Sequence, residues 1–338
     1  MTHVPPLRIV VVGATGNVGT SVVRALAADP SVGSVLGLAR RTPDWQPEKT
    51  DWCAVDIEPY GDDLVPLFDG ADVVIHLAWK FRPTHDPTET WRTNVLGSAR
   101  VFDAVAAAGV PALVQASSVG AYSPGPKDRT VDESWPTHGW PGAAYCREKA
   151  YVERLLDTFE RDHPGIRVVR MRPGFLFKRA AASEQRRIFG GGLLPARLVR
   201  PGLIPAVPDL QGLRFQALHT DDAAAAYLAA AVRPVRGAFN LAADPPLDAR
   251  ALAGVLDARP LRMPTAPVRT ALATAWRLHL VGASPDLFDA VLRLPLMDSS
   301  RAHEVLAWEP RHTSVEAVAE FIDGLRERAG MATAPLAA

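Results

Sequence analysis

Hydrophobic and polar positions alternate between two periods through the first half of the chain. Leu7–Val12 is a short, β-branched apolar run, the pattern of a strand buried on both faces. Ser21–Ala28 follows with helical spacing. Ser34–Ala39, Trp52–Val55, Ala71–Ala78, Pro111–Ala116 and Ile166–Met171 repeat the strand pattern, while Pro87–Ala108 and Ala143–Asp162 repeat the helical one. Such alternation predicts an α/β fold, a doubly wound parallel sheet with right-handed crossovers. Its ligands belong at the C-terminal strand ends. From Lys178 to Gln216 the periodicity weakens into Gly, Pro and Arg, with Gly190-Gly191-Gly192 inside. Regular pattern returns as a helix at Thr220–Val232 and a strand at Gly237–Leu241. Pro245 to about Ser300 reads as proline-punctuated helix, Val315–Arg328 as a last amphipathic helix, and 331–338 as a frayed tail.

Bulk properties narrow the function. The 338 residues suffice for one large domain with a smaller appendage. Lys+Arg and Asp+Glu both total 37, so nothing argues for nucleic acid or an anionic membrane as partner. Cys53 and Cys146 have no metal-ligand spacing, no metal is expected, and a reducing compartment is the default. The first residues carry no basic, then apolar leader, and Ala223–Val232 is too short to span a bilayer. A cytoplasmic protein is expected.

Two stretches carry chemistry. Gly13-Ala14-Thr15-Gly16-Asn17-Val18-Gly19 joins the first strand to the first helix. Backbone N–H groups and the positive helix end there suit a pyrophosphate, and glycines allow close approach. Tyr145 and Lys149 stand four apart on a helix, hence on one face. An ammonium beside the phenol would lower its pKa from about 10 and suit it to proton exchange with a carbonyl or alcohol oxygen. Ser118, at the end of the fifth strand, can donate a second hydrogen bond to that oxygen. The plainer alternative is a Tyr/Lys pair on a solvated helix face.

Together these motifs resemble the extended short-chain dehydrogenase/reductase family, in its NAD-dependent epimerase/dehydratase branch. The likeness runs through Gly13-x-x-Gly16-x-x-Gly19, Asp56, His76-Leu77-Ala78, Asn94-Val95-x-Gly97, Ser117-Ser118-x-x-x-Tyr122, Tyr145-x-x-x-Lys149, Arg172-Pro173-Gly174, His219-Thr220-Asp221-Asp222 and Leu306-x-Trp308-x-Pro310. It implies a Rossmann-type dinucleotide-binding domain from 1–177 and 217–243. A smaller, discontinuous substrate-binding part would come from 178–216 and 244–330. By resemblance, Tyr145 is the general acid/base, Lys149 holds the nicotinamide ribose, and Ser118 orients the substrate oxygen. Gly13, Thr15, Gly16, Asn17 and Val18 would meet the pyrophosphate. Asp56 and Ile57 would flank adenine, Leu77, Ala78, Trp79 and Ser117 would line the dinucleotide, and Pro173 would sit beside the nicotinamide. Asn94 would brace the active-site backbone, and the helices at Pro87–Ala108 and Ala143–Asp162 would pair in a homodimer.

Cofactor choice follows from charge. The end of the second strand reads Ala39-Arg40-Arg41, without the carboxylate that meets an unphosphorylated ribose, and guanidinium groups suit a 2′-phosphate. NADP(H) is therefore favoured over NAD(H). Val119-Gly120 replaces the acidic pair that sugar 4,6-dehydratases carry, so that dehydration is not expected. Phe215 stands where nucleotide-sugar epimerases often place an arginine, although Arg179, Arg186, Arg187, Arg197 and Arg200 are nearby in sequence. His219-Thr220-Asp221-Asp222 reads as a helix start with Thr220 or Asp221 as cap. The leading expectation is an NADP(H)-dependent oxidoreductase acting on a carbonyl or secondary alcohol. The alternatives are a nucleotide-sugar epimerase with bound NAD(P) and a non-catalytic dinucleotide sensor.

Overall fold

The computed structural model describes residues 5–81, 84–189 and 204–337. Its centre is a seven-stranded parallel sheet of β1 (Leu7–Val12), β2 (Val32–Ala39), β3 (Thr50–Ala54), β4 (Val73–His76), β5 (Ala112–Ala116), β6 (Arg167–Pro173) and β7 (Gly237–Leu241). The spatial order is β7-β6-β5-β4-β1-β2-β3, so the winding reverses between β1 and β4. That reversal splays the crossovers apart and opens a crevice above the C-terminal ends of those strands.

The sheet's two faces are built by residue alternation. On β1, Ile9 and Val11 face one apolar core and Val10 and Val12 the other. The first core is completed by helix α1 (Asn17–Ala28) and by a later alanine-rich helix, Thr220–Val232, which packs along it. Ala223, Ala226 and Ala230 of that later helix are fully buried, and such small side chains let it lie close to α1. The second core is completed by α2 (Pro87–Ala107) and α3 (Ala144–Asp162), through Val101 and Val105 of α2 and Val152 and Leu156 of α3. Each fully buried Val or Leu contributes about 1.5–3 kcal/mol.

Local departures from the expected pattern have physical causes. The long helix before β5 is not uniform: Arg92–Leu96 forms a π-helical turn between α-helical Pro87–Trp91 and Gly97–Ala107. Single π turns mark places where a helix is re-aimed for function, and this one contains Asn94. The helix at Thr220 is capped neither by Thr220 nor by Asp221 but by His219, whose imidazole Nδ1 accepts the Asp221 N–H at 3.2 Å. Asp222 in turn accepts the backbone N–H of His312 at 3.0 Å and lies 2.9 Å from its Nδ1.

The remaining elements flank the sheet. Four two-stranded ladders pair Phe175–Phe177 with Ala217–His219, Ala206–Asp209 with Arg259–Arg262, Arg214–Phe215 with Leu247–Asp248, and Thr130–Val131 with Leu296–Met297. Helix α4 (Ala182–Phe189) lies in the segment of weak periodicity, whereas Gly190-Gly191-Gly192, Arg197 and Arg200 fall outside the described residues. The last long helix, Ser314–Glu327, starts at a capping box between Thr313 and Glu316. The segment after it is not frayed. Leu336 is fully buried and Thr333 nearly so, because Thr333 Oγ1 donates to the Thr15 carbonyl in the glycine turn. Among the described residues, no helix is long and apolar enough to cross a membrane.

Candidate active site

The glycine turn after β1 shows which glycines serve the fold and which serve the space above it. Gly13 has φ +87°, and a Cβ there would stand 2.5 Å from the Ala78 nitrogen. At Gly19 a Cβ would overlap the Gly13 carbonyl oxygen, since α1 enters directly beneath the turn. Both are required for internal packing. Gly16 is different: its φ is −78°, and a Cβ there would find its nearest neighbour, the Gly13 oxygen, at an ordinary 3.7 Å. Nothing inside the protein needs Gly16 bare. It caps α1 without a side-chain hydrogen bond and lines the crevice, so the first-turn amides and the bare Cα face whatever enters.

The crevice is a cleft of about 640 Å³, within the range of cofactor sites. Its floor is Gly13, Thr15 and Gly16 at the end of β1 and Leu77, Ala78 and Trp79 after β4. Arg40 and Arg41 follow β2 on the same wall, both exposed, and Asp56 and Ile57 follow β3. Bare backbone, a free helix start and flanking apolar pockets fit a pyrophosphate between two ring systems. The chain's own geometry therefore accommodates a dinucleotide. The side chains of three residues expected at the dinucleotide are engaged within the protein. Asn17 Oδ1 accepts from Thr220 Oγ1 at 3.2 Å, which ties α1 to the neighbouring helix. Val18 packs against the first apolar core. Ser117 Oγ donates to Glu153 Oε1 at 2.6 Å, so its hydroxyl is engaged in the protein rather than in the cleft. Pro173 is buried at the end of β6.

Tyr145 and Lys149 occupy the next stretch of the sheet edge, behind an aromatic partition. The Ser118 hydroxyl, held by the Gly120 N–H at 3.0 Å, hydrogen-bonds the Tyr145 phenol. Gly120 lies flat under the phenol ring: a Cβ there would stand 2.6 Å from Cε1. Phe81 and Trp79 meet that ring edge-on, with centroids at 4.9 and 6.0 Å. Lys149 Nζ donates to the Ala116 carbonyl at 2.8 Å and lies 3.4 Å from the Trp79 ring centroid, a desolvated cation–π contact. Trp79 is thus both a wall of the cleft and a cover over Lys149.

This arrangement corrects the expected electrostatics. Burial pushes the Tyr145 phenol above its ordinary value, only partly offset by the Ser118 hydrogen bond. Burial also lowers Lys149 to about 7, against the pull of Glu153 and Glu148. The i, i+4 spacing does place both residues on one helix face. The ammonium, however, is turned to Ala116 and Trp79. Arranged in this way, the site holds its proton on the phenol.

Several further residues hold the site from behind. Asn94 Oδ1 accepts the Lys80 N–H at 2.7 Å, and its Nδ2 donates to the Lys80 carbonyl at 3.2 Å and to Glu148 Oε2 at 2.7 Å. The π turn thereby clamps the backbone between Trp79 and Phe81. Below the serines, Glu153 Oε1 and Oε2 lie 2.9 and 3.0 Å from Nε and Nη2 of Arg172, with Arg170 Nη1 at 2.8 Å from Oε2. The guanidinium groups and Ser117 hold Glu153 down at about 2 despite burial. Arg172 also donates to Tyr122 Oη at 2.9 Å, and Tyr122 to Asn240 Oδ1 at 2.7 Å. This network ties α3, which carries Tyr145, to β6 and β7.

The glycine turn stands on a helix start at the switch point of the sheet, with Ser118, Tyr145 and Lys149 beside it. Residues 9–242 match the NAD dependent epimerase/dehydratase family, and the chain belongs to it. An uncharacterized protein of Mycobacterium tuberculosis is 27% identical over 327 residues, which is 96% of this chain and 31% of that protein. The chain therefore spans about a third of the length of that relative. The L-arabinose 1-dehydrogenase (NAD(P)(+)) of Haloferax volcanii is 29% identical over 219 residues, covering 61% of this chain and 81% of that enzyme. Among solved structures, MoeE5 in complex with UDP-glucuronic acid and NAD superposes with a TM-score of 0.70 at 21% identity, over 95% of this chain and 99% of that one. The UDP-glucose 4-epimerase of Thermus thermophilus with NAD gives 0.69 at 20% identity, over the same shares. These likenesses show the same fold.

Proposed function

We propose that the protein binds a nicotinamide dinucleotide in the 640 Å³ cleft and interconverts a sugar hydroxyl and its ketone, as an epimerase of a nucleotide sugar. The observation that carries this reading is the Tyr145 phenol, hydrogen-bonded by Ser118 and seated on bare Gly120, at the sheet edge beside the cleft. The family membership and the nucleotide sugars bound by MoeE5 favour the epimerase over a net redox reaction. When bound, the nicotinamide supplies reversible hydride exchange with the substrate carbon. The chain supplies the proton. Tyr145 takes the hydroxyl proton as the alcohol is oxidised and returns it as the ketone is reduced from its other face. Ser118 holds the same oxygen, while Trp79 and Phe81 exclude water. Lys149 meets the nicotinamide ribose once Trp79 yields its place, and its charge then favours the phenolate form. Gly13, Thr15 and Gly16 hold the pyrophosphate, with Asp56 and Ile57 about the adenine.

A second reading rests on Arg40 and Arg41, which stand exposed on the cleft wall where an acidic partner for the ribose would be expected. They favour NADP(H) over NAD(H), and with it an oxidoreductase that reduces a carbonyl or oxidises a secondary alcohol. The likeness to an arabinose dehydrogenase and the neutral phenol fit this reading. In either case residues 178–216 and 244–330 supply the substrate side. Two chains would pair through α2 and α3, where Leu96 and Tyr151 are 41% and 45% exposed. A cytoplasmic setting suits the two free cysteines.

Absorbance at 340 nm separates the readings. Conversion of a UDP-sugar to its epimer without net change in absorbance supports the epimerase. Stoichiometric consumption of NADPH with a carbonyl substrate supports the oxidoreductase. An Arg40→Asp/Arg41→Asp variant that keeps any NADPH preference of the parent would remove the case for NADP(H).

A further inference from the structure

We propose that residues 331–337 are part of the dinucleotide site: a strap, anchored to the glycine turn and to α4, that walls in the phosphates and sets how long the cofactor stays. The proposal rests on the reading of the cleft as a dinucleotide site.

The strap is built, not draped. Met331 N–H donates to the Leu336 carbonyl at 3.0 Å, Thr333 N–H to Met331 at 2.7 Å, and Leu336 N–H to Thr333 at 3.0 Å, closing a compact turn. Leu336 is fully buried, and Thr333 is 3% exposed. Two anchors fix this turn to the cleft. Thr333 Oγ1 donates to the Thr15 carbonyl at 3.0 Å, across 318 positions of sequence. From α4, Arg187 donates to the carbonyls of Pro335 and Ala337, both at 2.6 Å.

Position gives the strap its consequence. Ala334 and Pro335 line the same cleft as Gly13, Thr15 and Gly16, as do Glu184 and Arg187 of α4. The glycine turn forms one wall of the phosphate side, and the strap with α4 forms another. The Thr15 carbonyl shares a rigid peptide plane with the Gly16 N–H, so the Thr333 bond also fixes how the turn presents its backbone. A pyrophosphate at the start of α1 is therefore enclosed by the strap. Its release requires the Thr333 and Arg187 anchors to break. Slow release is what an enzyme needs when one bound cofactor both takes and returns a hydride.

Release of NADH or NADPH, whichever binds, is followed by stopped-flow fluorescence on chasing with excess NAD(P)+. A chain ending at Gly330 should release it at least about tenfold faster than the intact chain. Thr333→Val, which loses one hydrogen bond and keeps the shape, should release it about threefold faster. In the intact chain, hydrogen exchange of 331–337 should slow when the dinucleotide is saturating. Unchanged release from both variants, or exchange of 331–337 indifferent to dinucleotide, would overturn the strap while leaving the dinucleotide reading in place. An intact chain that binds neither dinucleotide overturns both.

Discussion

The two halves of the sheet's C-terminal edge are made on opposite principles. Above β1 to β4 the cleft is shaped by backbone: bare glycine, uncapped amides and strand ends, with few side chains committed. Above β5 and β6 the proton-transfer site is shaped by side chains packed out of water, with Gly120 under the Tyr145 ring and an aromatic partition beside it. Backbone recognition tolerates an open, solvated cleft, because peptide dipoles need no tuning. A proton donor needs a defined pKa, and burial with named partners is what moves one. The contrast explains why the Tyr145 half carries the Glu153–Arg172 network beneath it while the glycine turn stands on apolar core.

The sharpest test of that division is Tyr145→Phe. It should cut turnover by about a thousandfold while leaving dinucleotide affinity within about threefold, measured by steady-state rates and fluorescence titration. Equal losses in both would show that the two halves are not separable.

Next in size is Glu153→Gln, which leaves Arg170 and Arg172 without their shared carboxylate and should lower stability by about 3 kcal/mol or more in urea. The same group makes an acid prediction. The folded value of about 2 lies below the ordinary 4.5, so its stabilisation is complete above pH 4.5 and is lost as pH falls toward 2. That loss amounts to about 3 kcal/mol, and Glu153→Gln should flatten the acid limb of the stability curve.

The glycines provide a matched pair. Gly13→Ala meets a positive φ and the Ala78 backbone, and should destabilise the fold by about 2 kcal/mol or more. In Gly16→Ala the new methyl meets only the Gly13 oxygen, at an ordinary 3.7 Å. It should leave the melting temperature within about 1 °C while weakening dinucleotide binding about tenfold or more. Gly16→Ala with unaltered affinity would break the assignment of that turn.

The smallest effect is expected at Tyr227, whose buried hydroxyl has no hydrogen-bond partner among the described residues. Tyr227→Phe should gain about 1 kcal/mol by thermal or urea unfolding, since it removes an unpaired polar group from the core.

Much of this protein could be read before it was folded. Strand–helix alternation predicted a doubly wound parallel sheet, and the three glycines predicted the turn, because both readings rest on local periodicity and backbone sterics. The spacing of Tyr145 and Lys149 likewise placed them on one face. Where the Lys149 ammonium points was not readable. Trp79, seventy positions earlier, lies against the lysine ammonium, while burial holds the Tyr145 phenol above its ordinary pKa. Nor could periodicity reveal that Asn94 sits in a π turn, that Glu153 underpins Ser117, or that Thr333 closes on Thr15. Patterns along a chain report which face of an element is apolar. Which distant groups then share that buried space, and hence the charges they can hold, is settled only when the elements are packed together.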